Sequence, residues 1–267
     1  MAISIGDLEE VAALGWRGTE EEQLGGWRLR AAGGFTGRAN SALAVGDPGR
    51  PLPAAAAAVH RWYAARDLPP MISVPYPSGH PGHSALDRFL ARAGWTLRSG
   101  AATVLTAAAA TVARTAPADP ARPVRVDVDA EPDEAWVARY HYRGQRRLPP
   151  AARQVLRSAP WQGFGSIRDD GATVAIGRIA VAGGWGGLTA IEVAPEHRRR
   201  GLAQALTAAL AAQAAARGAH HLYLQVEDGN APARALYHRL GFTDHHGYHY
   251  RVAPPGGPAV SGRRECC

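Results

Sequence analysis

The arrangement of apolar and polar positions is most regular in the second half of the chain. Residues 164–168, 172–181 and 185–193 are short runs rich in apolar side chains. Asp169-Asp170-Gly171 and Gly183-Gly184 separate them, which predicts strands joined by tight turns. A run at 124–128 predicts a further short strand. Residues 133–156 predict helical turns interrupted at Pro149-Pro150. A long helix is expected over 201–217, ended by Gly218. A strand over 220–226, a helix over 231–240 stopped by Gly241, and a last strand over 242–250 complete this half.

The first half repeats part of that order, with a strand at 41–45, a helix at 54–66, a strand at 71–74 and a helix at 84–93 before Gly94-Trp95. Val45 and Gly94 are 49 residues apart, and Val193 and Gly241 are 48 apart. LARAGW at 90–95 echoes YHRLGF at 237–242, and YAARDL at 63–68 echoes AAARGA at 214–219. These echoes predict an internal duplication. Residues 107–123 are low-complexity Ala/Pro sequence without apolar periodicity and read as a linker. The expected division is a degenerate domain over 1–106, the linker over 107–123, a complete domain over 124–253 and a flexible tail over 254–267.

Composition changes this picture in few places. A chain of 267 residues suits one large or two small domains. Its apolar share of 46% and charged share of 20% fit an ordinary globular core. No run of 18 or more uncharged apolar residues predicts a membrane span. The opening MAISIGDLEEVAAL is acidic and lacks the basic start and apolar core of a secretory signal, so a cytoplasmic location and no membrane partner are expected. The formal charge of +7 suggests nucleic acid, but the chain contains no lysine and its arginines are spread along both halves. With Ala, Gly and Pro abundant, this looks like the coding bias of a GC-rich genome, and no nucleic-acid partner is expected. The oligomeric state is unknown from sequence. Cys266 and Cys267 are adjacent at the end, so they neither staple a fold nor show zinc spacing.

The chemistry concentrates at IEVAPEHRRRGLAQAL, residues 191–206. A strand ends at Pro195, a basic turn follows, and a helix begins at Gly201. The first turn of a helix carries unpartnered N–H groups and a partial positive charge, which suits a phosphate or pyrophosphate. Gly201 lets the backbone approach an anion closely, Ala203 keeps the next turn uncrowded, and Arg198, Arg199 and Arg200 add charge. A P-loop is excluded by the missing lysine, and the glycines at 183–187 do not fit a dinucleotide fingerprint. A helix terminus supplies only ~1–2 kcal/mol, whereas micromolar affinity needs ~8 kcal/mol. The ligand must therefore be long, as a coenzyme is.

Arg198-Arg199-Arg200-Gly201-Leu202-Ala203 resembles the pyrophosphate signature of the GNAT superfamily, Gln/Arg-x-x-Gly-x-Gly/Ala, and residues 191–195 before it resemble that family's fourth strand. Asn230, Ala233, Leu236, Tyr237, Gly241 and Phe242 match its second signature, Asn-x-x-Ala-x-x-Leu-Tyr-x-x-x-Gly-Phe. The stretch at 25–43 resembles the N-terminal part of actinobacterial members. The resemblance implies a mixed α/β fold, a GNAT domain in the second half with a partial copy in the first, and an N-acetyltransferase using acetyl-CoA as co-substrate, with no metal.

It further implies that backbone groups of Ile191, Glu192 and Val193 hold the pantetheine arm as an added strand would. Amides from Arg199 through Gln204 would hold the pyrophosphate, with Asn230 and Tyr237, seven residues apart, on one helix face. Tyr237 is the candidate general acid toward the departing thiolate. Glu192 is a candidate base, with Glu227, Asp228 and water as alternatives. The acceptor is expected to be a primary amine of a small molecule, amino acid or peptide, whose nitrogen attacks the thioester directly. A non-catalytic acetyl-CoA-binding or regulatory protein is the alternative, and the intact Tyr237 argues against it.

His245, His246 and His249 fall on the last strand, where alternation puts His245 and His249 on one face and His246 on the other. A structural or substrate-lining role is expected there rather than metal binding. Tyr140, His141, Tyr142 and Arg143, with Arg146 and Arg147, are candidate liners of the acceptor pocket. The first copy lacks the machinery. Pro51 and Pro53 supply no N–H where a phosphate cradle needs one, Asp47 adds negative charge, and Leu90 and His83 stand at the positions of Tyr237 and Asn230.

Overall fold

A serine cap starts the first helix. The Ser4 hydroxyl accepts the Asp7 N–H at 3.1 Å and begins α1 (Ile5–Gly15). The computed structural model describes residues 3–116, 124–141 and 148–254. After α1 come a hairpin of β1 (Glu20–Leu24) and β2 (Trp27–Ala31), a short β3 (Ala42–Leu43), α2 (Leu52–Ala64) and β4 (Met71–Pro77). Then follow α3 (Ala85–Arg92), β5 (Thr96–Leu97), β6 (Ala102–Ala108) and α4 (Ala109–Ala113). The second half holds β7 (Asp127–Asp129), α5 (Glu134–Arg139), α6 (Ala151–Leu156), and a meander of β8 (Trp161–Asp169), β9 (Ala172–Ala182) and β10 (Trp185–Val193). It ends with α7 (Leu202–Ala215), β11 (His221–Glu227), α8 (Ala231–Arg239) and β12 (Thr243–Val252). The meander turns because two successive residues take positive φ at each bend, Asp170 (48°) with Gly171 (79°), and Gly183 (55°) with Gly184 (75°). That is the turn type whose twist matches antiparallel strands.

All the described strands join one mixed sheet in the order β1-β2-β3-β4-β12-β6-β11-β10-β9-β8-β7, with β5 on the end of β12. The duplication is visible in the elements. β3-α2-β4-α3 repeats as β10-α7-β11-α8. Both α3 and α8 end on a left-handed glycine, Gly94 (φ 80°) and Gly241 (φ 92°). The following aromatic residue then donates its N–H five residues back, Trp95 to Leu90 O at 2.9 Å and Phe242 to Tyr237 O at 3.0 Å. The two copies exchange their last strands. β6, from the first, lies between β11 and β12, while β12, from the second, pairs with β4 over His246–Val252.

One face of the sheet carries α2 and α3 over the first half, and α4, α7 and α8 over the second. The other face carries α1, α5 and α6. Strand alternation feeds both layers. Leu222, Leu224 and Val226 of β11 enter the α7 core, while Tyr223 between them enters the α1 side.

Residues 107–116, expected to open a linker, are instead partly core. Ala107 and Ala108 complete β6, and Ala109 and Val112 of α4 are buried among residues of α7 and β11. Small side chains allow that close approach, and their uniformity hid any apolar period. Residues 117–123 of the expected linker, Tyr142, Arg143, Arg146 and Arg147, and Cys266 and Cys267 lie outside the described residues. No helix among the described residues is long and apolar enough to cross a membrane.

Candidate active site

The strands β10 and β11 run parallel and paired from Trp185 opposite His221 to Leu188 opposite Leu224, and their pairing stops there. The cause lies in β10. Its register with β9 shifts between Thr189 and Glu192, and Ala190 takes a positive φ of 55°. A bulge of this kind bends its strand. Beyond it Glu192 and Val193 still pair with β9, and β11 still pairs with β6 as far as Glu227. The edges of residues 191–193 and 225–227 therefore diverge with backbone groups facing a wedge between them. Gly177 makes room for this, because a Cβ there would lie 2.6 Å from Ile191 Cδ1 and 2.9 Å from Leu206 Cδ2.

At the mouth of the wedge the chain makes a 3₁₀ turn (Pro195–His197) and enters α7. Arg199 has φ 60°, and Gly201, the N-cap, has φ 78° with no side-chain cap bond. The N–H groups of Leu202, Ala203 and Gln204 belong to the first turn and have no intrahelical partner. With the helix dipole they form a concave set of donors for an anion. Arg198 and Arg200 flank this set. The first donates to Val193 O at 3.2 Å and the second pairs with Asp169 at 3.3 Å. The Gln204 side chain points elsewhere, to Ala116 O at 2.8 Å.

Tyr237 sits on the α7–α8 side of the sheet, 7% exposed, with its ring edge-on to Phe242 at 5.8 Å between centroids. Burial pushes its phenol up to about 12. Asn230 is the exposed N-cap of α8, and its side-chain oxygen accepts the Ala233 N–H at 3.3 Å. It fixes where α8 starts relative to the end of β11.

Glu192 is half-buried, and its carboxylate is clamped by His141. The His141 backbone N–H donates to Oε2 at 3.0 Å, and ring Nδ1 lies 2.7 Å from Oε1. His141 follows α5, so Glu192 belongs to the side of the sheet opposite Tyr237. The alternatives are placed differently. Asp228 accepts the Thr103 hydroxyl at 2.7 Å and stands 3.8 Å from Arg234. Glu227 lines a cavity of about 380 Å³ on the α1–α5 side. Sequence reasoning missed that cavity. Its walls come from both halves: Arg38 from the connection between β2 and β3, Arg98 from the connection between β5 and β6, Tyr140 from the end of α5, and Gln225, Tyr248 and Tyr250 from β11 and β12. No local spacing links these residues, and only the exchanged sheet brings them together.

The last-strand histidines serve two separate carboxylates. Buried His246 faces α1 and meets Glu9 at 2.8 Å, whereas buried His249 faces α3 and meets Asp87 at 2.7 Å. The expected alternation holds between these two. His245 departs from it, because the β12 register shifts between Asp244 and His246 and His245 meets the His246 ring at 2.7 Å. Among the described residues, no group of three or more His, Cys, Asp or Glu side chains could hold a metal ion.

Among the described residues, the first half has no matching wedge. β3 is two residues long and pairs directly with β4. The loop at the corresponding helix start is filled by its own contacts. Gly26 N–H donates to Asp47 O at 2.6 Å, the Trp27 indole donates to Gly46 O at 3.3 Å, and Pro51 caps α2.

Residues 3–251 match the model of a family described as "Probable histone acetyltransferase Rv0428c C-terminal". The chain is 32% identical over 259 residues to the probable histone acetyltransferase Rv0428c of Mycobacterium tuberculosis, covering 92% of this chain and 72% of that one. It is 26% identical over 254 residues to the uncharacterized N-acetyltransferase YobR of Bacillus subtilis, covering 92% and 97%. Its fold is shared with a GCN5-related N-acetyltransferase from Kribbella flavida, at a TM-score of 0.69, 23% identity and coverage of 96% and 98%.

Proposed function

The chain belongs to the Rv0428c C-terminal acetyltransferase family within the GNAT superfamily and is an acyltransferase, and from that premise we propose that it moves the acetyl group of acetyl-CoA directly onto a primary amine. The observation that carries this reading is the wedge between β10 and β11, which opens beyond Leu188 and leads straight to the donor set at the start of α7. A long ligand with an anionic middle fits that shape: an extended arm along the strand edges of Ile191, Glu192 and Val193, and a pyrophosphate on the amides from Arg199 to Gln204. Acetyl-CoA supplies a thioester carbonyl open to nucleophilic attack.

The protein supplies the proton traffic on either side. Glu192, held by the His141 backbone and ring, receives the proton the amine must lose. As nitrogen bonds to the acetyl carbon and the carbon–sulfur bond breaks, charge gathers on sulfur. The Tyr237 hydroxyl, on the opposite face, hydrogen-bonds to that charge. We assign catalysis to the second half, and to the first half the shaping of the acceptor side.

Glu192→Gln tests the base and the reaction together. CoA release is followed across pH on a panel of amines, and the acetylated products are identified by mass spectrometry. The variant should lose most activity at low pH, where little free amine is present without help from a base. A constant ratio of variant to parent rates across pH would leave deprotonation to water. No CoA release with any amine by the parent protein would leave acetyl-CoA binding without transfer.

A further inference from the structure

The 380 Å³ cavity on the α1–α5 side of the sheet is lined by two guanidinium groups, Arg38 and Arg98. Arg38 donates to Gln225 Oε1 at 2.6 Å and stacks over the Trp16 ring at 4.8 Å. Arg98 lies 5.7 Å from the Tyr250 ring centroid and points Nη1 at Met71 Sδ, 3.3 Å away. All of these partners are neutral, and among the described residues neither guanidinium has a carboxylate within ion-pair distance. Gly37 is what admits Arg98, because a Cβ there would stand 2.9 Å from its Nη1.

Two further arginines lie near the cavity. Arg178, fully buried on the same face, donates to Leu156 O at 2.7 Å and Gly15 O at 3.1 Å. Desolvation brings its guanidinium down to about 10, and the charge of Arg38 pushes the same way. Arg30 is buried and donates to Ser41 O at 3.3 Å and Ser41 Oγ at 3.4 Å. Of the carboxylates nearby, Glu9 is engaged by His246, and Glu227 is exposed at the cavity wall. Arg38 and Arg98 are half-buried, and a planar guanidinium fork is well matched to an oxyanion. The cavity is also lined by Tyr140, the residue before His141, whose backbone N–H and ring meet the Glu192 carboxylate on the same side of the sheet.

We propose that the acceptor is a small zwitterion, a primary amine that also bears a carboxylate, with the carboxylate held by Arg38 and Arg98 and the amine delivered toward Glu192. This rests on the N-acetyl transfer proposed above and narrows its substrate class. A cavity of this size admits a small molecule, and its two unpaired arginines repel the lysine-rich segments that a histone substrate would present.

The test compares amino acids of graded length with their primary amides, aminoalkyl phosphonates and a basic histone-tail peptide, as acceptors for the full chain. Amino acids should exceed their amides at least 30-fold in kcat/KM. Arg38→Gln and Arg98→Gln should each raise KM for the acid at least tenfold and so collapse its advantage over the amide, with acetyl-CoA affinity kept within about twofold. Circular dichroism confirms that each variant is folded, and Arg38→Lys should recover part of the loss. Amides accepted as well as acids, phosphonates preferred over carboxylates, or the basic peptide preferred over both would overturn the proposal while leaving N-acetyl transfer intact. No transfer to any amine would sink the proposed function and this inference with it.

Discussion

Burial decides what Tyr237 can do. With the phenol pushed up to about 12 and a thiol near ~8.5, moving a proton fully from one to the other costs roughly 5 kcal/mol at equilibrium. The hydroxyl stays neutral well above neutral pH, so the contribution we propose for it is a placed hydrogen bond to sulfur as charge develops. Tyr237→Phe removes that bond and keeps the ring against Phe242. Single-turnover kinetics should show kcat lower by roughly 10²-fold, the bottom of the ~10²–10⁴ range for positioned acids, with acetyl-CoA affinity within about twofold. A loss below threefold with chemistry rate-limiting would make the residue structural. Weaker coenzyme binding at normal turnover would make it a binding residue. Glu192 contrasts with it, a half-buried group whose partners come from a different element, and its clamp on His141 was not legible in the sequence. The sequence marked His141 only as one of a Tyr-His-Tyr-Arg run, because nothing local tells which carboxylate a loop histidine will meet 51 positions away.

Elements were legible where backbone chemistry is punctuated. The sequence placed β10 at its observed bounds, and the meander turned where Asp-Asp-Gly and Gly-Gly predicted, because left-handed residues leave few alternatives. It did not reveal α1, whose alternation is blurred by acidic residues, or β1, a polar edge strand whose glutamates are matched by arginines, Glu20 with Arg66 and Glu21 with Arg28. α7 gives the sharpest element-level test, since it begins and ends near glycines of nearly equal φ, Gly201 at 78° and Gly218 at 79°. Alanine at either position forces a side chain into the left-handed region, at about 1–2 kcal/mol. A Cβ on Gly218 meets nothing within 4 Å. Gly201→Ala and Gly218→Ala should therefore lose similar stability in urea denaturation, but only Gly201→Ala should weaken acetyl-CoA binding, by tenfold or more in calorimetry. Equal affinities in the two variants would remove the start of α7 from the coenzyme site.

At the scale of the whole molecule, the sequence showed that the chain is doubled but not that the copies trade strands. Apolar alternation says that a segment is a strand and leaves open which neighbour it pairs with. The exchange follows from the ladders. β6 covers β11 from His221 to Glu227, and β12 reaches across to β4, where Asp87 of α3 receives His249 at 2.7 Å and Arg251 at 2.8 Å. Burial alone would raise the Asp87 carboxyl, but the hydrogen bonds from Arg251 and His249 outweigh it and hold it below its ordinary value. A carboxyl depressed in this way adds stability above its unfolded value near ~3.9, and that contribution disappears as pH falls through the folded value. The joint between the copies should therefore loosen in acid. A stronger consequence concerns the halves taken apart. Residues 124–254 alone would leave the β11 edge unpaired, separate it from β12, and uncover Tyr223 and Tyr248 where α1 now packs. An exposed edge and a bare apolar face favour aggregation over folding. That fragment should be insoluble or unfolded by circular dichroism and should not bind acetyl-CoA. Co-expression with residues 1–116 should recover a soluble pair with one coenzyme site by calorimetry. An isolated second half that folds cooperatively and binds coenzyme as the full chain does would show that the exchanged strands are dispensable.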